Sequence, residues 1–213
     1  MRIDIHRTEM YLLVDKMVYV PSDQLLIIAD AHFTKETHFR KNGIAIPPGV
    51  IHRDLHRIDT AIQQTGAKRI IFLGDMFHSE HNSGMDLFLN WRKNQKVAME
   101  LITGNHDILD VNWYQDAGIL CYAESLQLHA LVLSHDAIEV GDQQFNMHGH
   151  IHPVVRLTGK AKQSLRLPCF WISSNKMVLP AFGSFTGGYA IQPKSKDQVF
   201  AVADHQLIAI HDT

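Results

Sequence analysis

Cysteine is almost missing from this chain, with Cys121 and Cys169 as the only two. Two isolated thiols cannot build the disulfide framework of a small secreted domain or the thiolate cage of a structural zinc site. They are expected to be buried thiols in a reducing compartment. Also absent is any apolar run near the roughly 20 residues a membrane helix needs. The opening residues Met1 to Arg7 place charges where a secretory leader requires an apolar core, so a cytoplasmic protein without membrane association is expected. Glycine and proline are sparse, 13 and 7 in 213 residues, and no linker, low-complexity tract or repeat divides the sequence. A single domain over residues 1–213 follows as the expectation. An excess of either charge is missing too, the formal net charge being −2, so any contact with a polyanion must be local.

What is present is apolar sequence cut into short runs. Met10 to Val20 reads as two short strands turning near Asp15 and Lys16 and ended by Pro21. Leu25 to Ala29 is a continuous apolar run, the pattern of a strand buried on both faces, with Arg69 to Leu73 as a second buried strand and Val97 to Thr103 as a third strand. Between them, Ile51, Leu55, Ile58 and Ile62 recur at helical spacing with Gly66 as a C-cap, and Met85 to Asn94 reads as a second helix. Strand–helix–strand–helix–strand order implies parallel strands with right-handed crossovers, whose ligands bind at the carboxyl ends. The second half is richer in strands: Leu126 to Leu128, Leu131 to Leu133, Phe145 to Met147, Arg166 to Ile172, Met177 to Leu179, Val199 to Ala203 and Leu207 to Ile210. The predicted fold is α/β, with two packed β-sheets flanked by helices in a four-layer α/β/β/α sandwich.

Histidine is abundant, with 15 residues, and it is both the commonest metal ligand and the usual acid–base group near neutral pH. Several fall with carboxylates or amides at the ends of apolar runs: Asp30 and His32, Asp75, Asn105 and His106, His135, His150 and His152. Setting His106 aside, these supply two carboxylates, one amide oxygen and four imidazoles. Mixed oxygen and nitrogen donors without thiolate suit manganese, with iron or zinc as alternatives. Seven such donors overfill one ion but fit two ions that share a carboxylate. A pair of that kind clamps the attacking and leaving oxygens of an in-line displacement at phosphorus, and ionises a bridging water as the nucleophile. Asp30 and His32 alternate by two, as do His150 and His152, so each pair can project to one side of an extended strand end. A glycine precedes Asp75, Asn105 and His150, permitting tight turns and close backbone approach.

In their order along the chain, Asp30-Ala31-His32, Gly74-Asp75, Gly104-Asn105-His106-Asp107, His135 and Gly149-His150-Ile151-His152 resemble the motifs of the calcineurin-like metallophosphoesterases. Ser134 stands where that family commonly has glycine. The resemblance implies one metal on Asp30, His32, Asp75 and His152, and another on Asp75, Asn105, His135 and His150, with Asp75 bridging. It implies that His106 contacts the phosphate and protonates the leaving oxygen, a chemically reasonable role for an imidazole. Asp107 either orients His106 or caps the turn that follows. A narrower likeness, to the ligase-associated DNA-damage-response group, runs through Asp30 to Lys35, Phe39 to Ile44 with Pro47, Gly74 to Ser79, Leu167 to Trp171 and Leu179 to Gly188. That group implies a DNA phosphodiester substrate, an endonuclease-type role in repair, and an ATP-dependent DNA ligase, a helicase and an exonuclease as partners.

Two further readings stand beside this one: a phosphatase or nucleotide phosphodiesterase acting on small molecules, and a non-catalytic scaffold on the same fold. The scaffold has no chemical need for Asn105 and His106 together. Lys35, Arg40 and Lys41 are candidate substrate contacts, placed to hold a DNA phosphate near the metals, with a solvated loop as the alternative, more for Lys41 than for Arg40. Arg156, Lys160, Lys162 and Arg166, after the last motif, could extend such a surface, but scattered cations of this kind usually just face water. Phe170, Trp171 and Phe182 read as core rather than as base-stacking platforms. His78 and His148 flank the motifs as either hydrogen-bond partners of ligands or loop residues. His52 and His56, beside Arg53 and Arg57, read as the solvated face of their helix.

Overall fold

The structure is a computed structural model that describes residues 1–36, 49–77, 83–158, 163–184 and 186–210. The first sheet carries seven strands in sequence order: β1 (Arg2–Ile5), β2 (Thr8–Leu12), β3 (Met17–Val20), β4 (Leu25–Ala29), β5 (Arg69–Leu73), β6 (Ala98–Ile102) and β7 (Ile119–Tyr122). β1 to β4 pair antiparallel, and β4 to β7 pair parallel. The parallel strands are joined by three helices, α1 (Val50–Thr65), α2 (Ser83–Lys93) and α3 (Val111–Asp116).

The second sheet is built from β8 (Ser125–Leu128), β9 (Leu131–Ser134), β10 (Phe145–His148), β11 (Pro153–Thr158), β12 (Ser164–Ile172), β13 (Lys176–Val178), β14 (Tyr189–Ala190), β15 (Gln198–Ala203) and β16 (Gln206–Ile210). Its spatial order is β14-β11-β12-β13-β10-β9-β8, with β15 pairing β12 and β16 at the far side. β9, β10 and β13 run parallel. The long β12 switches neighbours, pairing β11 through Ser164–Pro168 and then β13 and β15 through its second half.

Strand alternation divides the core as the apolar runs predicted. Leu26, Ile28, Ile70, Phe72, Met99 and Leu101 face the helices, where Ile51, Leu55, Ile58, Phe88 and Tyr114 meet them. Their alternates Leu25, Ile27, Ala29, Ile71, Leu73 and Ile102 face the second sheet and pack on Leu131, Leu133, Met147 and Phe170. A third cluster around Val155, Cys169, Val199 and Ala201 lies within the second sheet region. Among the described residues, all three α-helices precede β7 and pack with the first sheet. The two-sheet α/β sandwich is therefore as expected.

Several elements differ from the sequence reading. β1, β7, β11, β14 and α3 were not foreseen, because each is short and lacks a clean apolar period. Arg57 does not face water with His52 and His56: its guanidinium donates to Asp15 Oδ1 and Asp54 Oδ1, each at 3.0 Å, and to Phe182 O at 3.2 Å. Cys169 is buried, but Cys121 is only half-buried; both are free. Phe170 and Phe182 are fully buried core residues, as read. No helix among the described residues is long and apolar enough to cross a membrane.

Candidate metal centre

All the motifs sit at carboxyl ends of parallel strands. Asp30 and His32 follow β4, Asp75 follows β5, Asn105 follows β6, His135 follows β9, and His150 and His152 follow β10. The backbone leaves β geometry abruptly there. Five of the seven candidate ligands, Asp30, His32, Asp75, His150 and His152, have φ between 46 and 68°. Non-glycine residues in this left-handed region cost on the order of 1–3 kcal/mol each and persist only where surrounding structure holds them. The pairs spaced by two therefore do not converge through extended alternation, as the sequence spacing suggested. They converge because the chain turns left-handed at each ligand.

The turns are pinned to one another by the main chain. Asp30 N donates to Gly74 O at 3.3 Å, His32 N to Asp75 O at 2.9 Å, and Gly149 N to His135 O at 3.1 Å. The motif glycines leave room for other motifs' ligands. A Cβ at Gly74 would overlap the His135 ring, at Gly104 the Asp75 carboxylate, and at Gly149 the Asp30 carboxylate. The glycine–ligand pairs anticipated in sequence are thus interlocked across the site rather than acting each on its own turn.

Two donor groups result. Asp30, His32 and His152 form one, and Asp75, His135 and His150 the other, with ligand atoms in each group within 4.8 Å of one another. Asp75 lies between them: Oδ2 is 3.7 Å from His32 Nε2, and Oδ1 is 3.5 Å from His135 Nε2. In the second group, His135 donates its Nδ1–H to Leu73 O at 3.0 Å, which leaves Nε2 with a lone pair. That nitrogen faces Asn105 Oδ1 at 3.0 Å and His150 Nδ1 at 3.0 Å. A cluster of lone pairs on oxygen and imidazole nitrogen is satisfied by a cation. In the first group, His152 donates Nδ1–H to Gly187 O at 3.2 Å, and its buried Nε2 has no hydrogen-bond partner among the described residues, 3.5 Å from Asp30 Oδ1. Backbone carbonyls on the far ring nitrogens are the usual way to fix the tautomer of a ligating histidine. The residues present fit a pair of divalent metals.

Carboxylates also hold backbone. Asp30 accepts from His150 N at 2.9 Å, and Asp75 Oδ1 accepts from His106 N at 3.0 Å. His106 lies edge-on to His32, ring centroids 5.7 Å apart. Asp107 accepts from Gly104 N at 2.9 Å, from Met76 N at 2.9 Å and from the Tyr114 hydroxyl at 3.3 Å. Burial pushes its carboxyl up to about 6 against the opposing pull of those backbone N–H groups. Asp107 thereby laces the Gly104 turn before it to the Asp75 turn, a role distinct from both orienting His106 and capping the turn that follows. Ser134 has work that glycine could not do: its hydroxyl donates to Asp136 O at 2.6 Å and accepts from the buried Asn146 amide at 2.8 Å, bracing the turn that carries His135.

Lys35 is half-buried near the same carboxylates. Burial lowers its pKa, while Asp75 and Asp30 draw it back up. Arg40, Lys41, His78, Lys160 and Lys162 lie outside the described residues. His148 is buried and donates Nδ1–H to Gly149 O at 3.1 Å; burial holds its pKa down at about 4, so it is a neutral imidazole behind the His150 turn. His52 and His56 are exposed on α1, away from the site.

Sequence reading missed the brace behind Asp30. Phe182 N and Gly183 N donate to Ala29 O at 2.8 Å and Asp30 O at 3.2 Å, laying residues 182–184 along the end of β4. Lys16 Nζ donates to Gly183 O at 3.2 Å, and Ser184 Oγ to Asp54 Oδ1 at 2.7 Å. The only sequence signal was the narrower likeness over Leu179 to Gly188.

A metallophosphoesterase-like two-sheet sandwich with this ordered Asp, His and Asn set at its strand ends is that of a metal-dependent phosphoesterase. Over its whole length the chain is similar to a Pseudomonas putida nuclease, MPE: 28% identity, 99% of each chain covered, TM-score 0.83. A phosphoesterase from E. coli, YfcE, aligns at 14% identity over 87% of this chain and 96% of the other, with TM-score 0.45. No family model and no curated protein sequence matches the chain.

Proposed function

We propose that the protein is a dinuclear metal-dependent phosphodiesterase that cleaves DNA as an endonuclease-type repair enzyme. The observation that carries the reading is Asp75, whose two carboxylate oxygens face two separate donor groups. The likeness to a protein described as a nuclease favours a nucleic-acid diester over a small phosphate ester. Manganese is the proposed metal, on the mixed oxygen and nitrogen donors without thiolate. The motif resemblance supports partnership with an ATP-dependent DNA ligase, a helicase and an exonuclease.

Asp30, His32, Asp75 and His152 would hold one ion, and Asp75, Asn105, His135 and His150 the other. When bound, such a pair supplies a water of lowered pKa and neutralises charge developing at phosphorus. The remaining steps belong to the chain. His106, held through its backbone N–H by Asp75 and stacked edge-on against His32, presents an imidazole beside the donor groups and donates a proton to the departing alkoxide. Lys35, drawn to Asp30 and Asp75, adds a cation on the substrate side to orient a phosphate oxygen. The left-handed turns set these groups before substrate arrives, so little reorganisation is needed in the transition state.

The test is a metal-by-substrate screen comparing single-stranded, duplex and nicked DNA with phosphomonoesters. Manganese-dependent cleavage of DNA in preference to monoesters is expected. Hydrolysis of monoesters alone would favour the small-molecule reading.

A further inference from the structure

A groove of about 310 Å³ opens directly from His152, with Val154 and Pro168 on its floor and Arg166, Thr186 and Gly188 around it. The sequence left Arg156 and Arg166 as cations that either extend a phosphate-binding surface or simply face water. The sheet register makes them one feature. On the antiparallel β11–β12 ladder, Val154 faces Pro168, Arg156 faces Arg166 and Thr158 faces Ser164. Cross-strand partners share a sheet face, and alternate residues along each strand share it too. Val155 and Cys169, on the opposite face, point into a buried cluster. One face of the ladder therefore runs from the metal ligand His152 across an apolar step to an arginine pair.

Like charges directly opposed on a ladder are unfavourable in isolation. Both arginines are exposed, and neither has a carboxylate partner among the described residues. Each is instead steadied by a neutral acceptor: Arg156 Nε donates to Ser164 Oγ at 2.8 Å, and Arg166 Nη2 donates to Gly188 O at 2.5 Å. Guanidinium donors remain for an anion that meets both. Two residues of strand advance about 7 Å, of the order of one backbone repeat of an extended nucleic-acid strand. The Gly187-Gly188 strap ties this face to the metal centre. Gly187 O fixes the His152 ring, and Tyr189 N donates to His152 O at 3.0 Å; a Cβ at Gly188 would overlap Val154.

We propose that this face is the track for the single DNA strand flanking the scissile phosphate. The neighbouring nucleoside lies on Val154 and Pro168, and the next phosphate is held by Arg156 and Arg166. The proposal rests on the phosphodiesterase reading above for its substrate.

The test compares wild type, Arg156→Gln/Arg166→Gln and Arg156→Lys/Arg166→Lys. It uses fluorescence anisotropy with a labelled single-stranded oligonucleotide over a salt series, together with manganese-dependent turnover of that oligonucleotide and of a small chromogenic diester. Losing the one phosphate contact the pair makes lowers the salt slope for a single strand by about 0.7. The Gln pair is expected to show that loss and to lower the ratio of oligonucleotide to small-diester turnover about tenfold or more, with the Lys pair restoring the slope. An unchanged slope and ratio in the Gln pair overturns the track. A wild type that cleaves the small diester but binds no oligonucleotide overturns it too, while sparing the phosphodiesterase reading. An arginine-dependent slope in a protein that cleaves neither substrate sustains the track and instead removes the phosphodiesterase reading.

Discussion

At Asp75 the residue chemistry is most constrained, since one carboxylate serves both donor groups and also accepts the His106 amide. Asp75→Asn removes the charge but keeps the shape, so diester turnover is expected to fall more than about 100-fold with the fold intact by circular dichroism; near-wild-type turnover would contradict the shared-ligand assignment. His106→Ala is expected to retain metal and to lose about 10²–10⁴ in kcat for esters with poor leaving groups, but far less for nitrophenyl esters, whose departing oxygen needs no proton. Equal losses on both would show that His106 is not the acid. That donor side chains from separate motifs would meet was legible from residue type and order. Their conformation was not: nothing in Asp30-Ala31-His32 announces that Asp30 and His32 adopt φ of 52 and 46°, because such strain is imposed by the neighbouring turns. Asp107 was ambiguous for the same reason, its hydrogen-bond partners lying at Met76 and Tyr114, 31 and 7 residues away.

At the scale of elements, long apolar runs declared themselves and short strands did not. β4 is uninterrupted hydrophobic sequence buried on both faces, and β5 and β6 are apolar apart from Arg69 and Glu100, which pair with each other. β14, with two exposed residues, is ordered only by pairing with β11. The brace behind β4 was equally invisible, since it joins Lys16, the α1 pair Asp54 and Arg57, and Ser184 from three separate segments. It makes a prediction of its own. Burial and then Arg57 lower the Lys16 pKa to about 7, against Asp54 and Asp15. An unfolded lysine titrates near 10.4. Between these values the unfolded chain binds the extra proton, so the native protein gains stability as pH rises from about 7 to about 10.4, by at most about 1.4 kcal/mol per pH unit. Below pH 7 both states are charged and the cost of burying the ammonium is felt in full. Melting temperatures for wild type should therefore rise relative to Lys16→Met between pH 7 and 9.5; parallel curves would place the ammonium in water.

For the molecule as a whole, two sheets converge their strand ends on one mouth, with donors from β4, β5 and β6 meeting those from β9 and β10. Metal bound there ties the sheets together, so a chelator is expected to lower the melting temperature and excess Mn²⁺ to raise it with concentration, as ligand linkage requires. This convergence was legible because every motif followed an apolar run and parallel sheets place sites at carboxyl ends. The arginine pair was not legible, since Arg156 and Arg166 become neighbours only through the β11–β12 register. The central claim is the dinuclear centre, and it is tested most directly by electron paramagnetic resonance of the chain titrated with Mn²⁺. Two ions per chain with an exchange-coupled spectrum, reduced to an uncoupled signal by Asp75→Asn, is the predicted result. A single uncoupled ion at saturation in the wild type would contradict it.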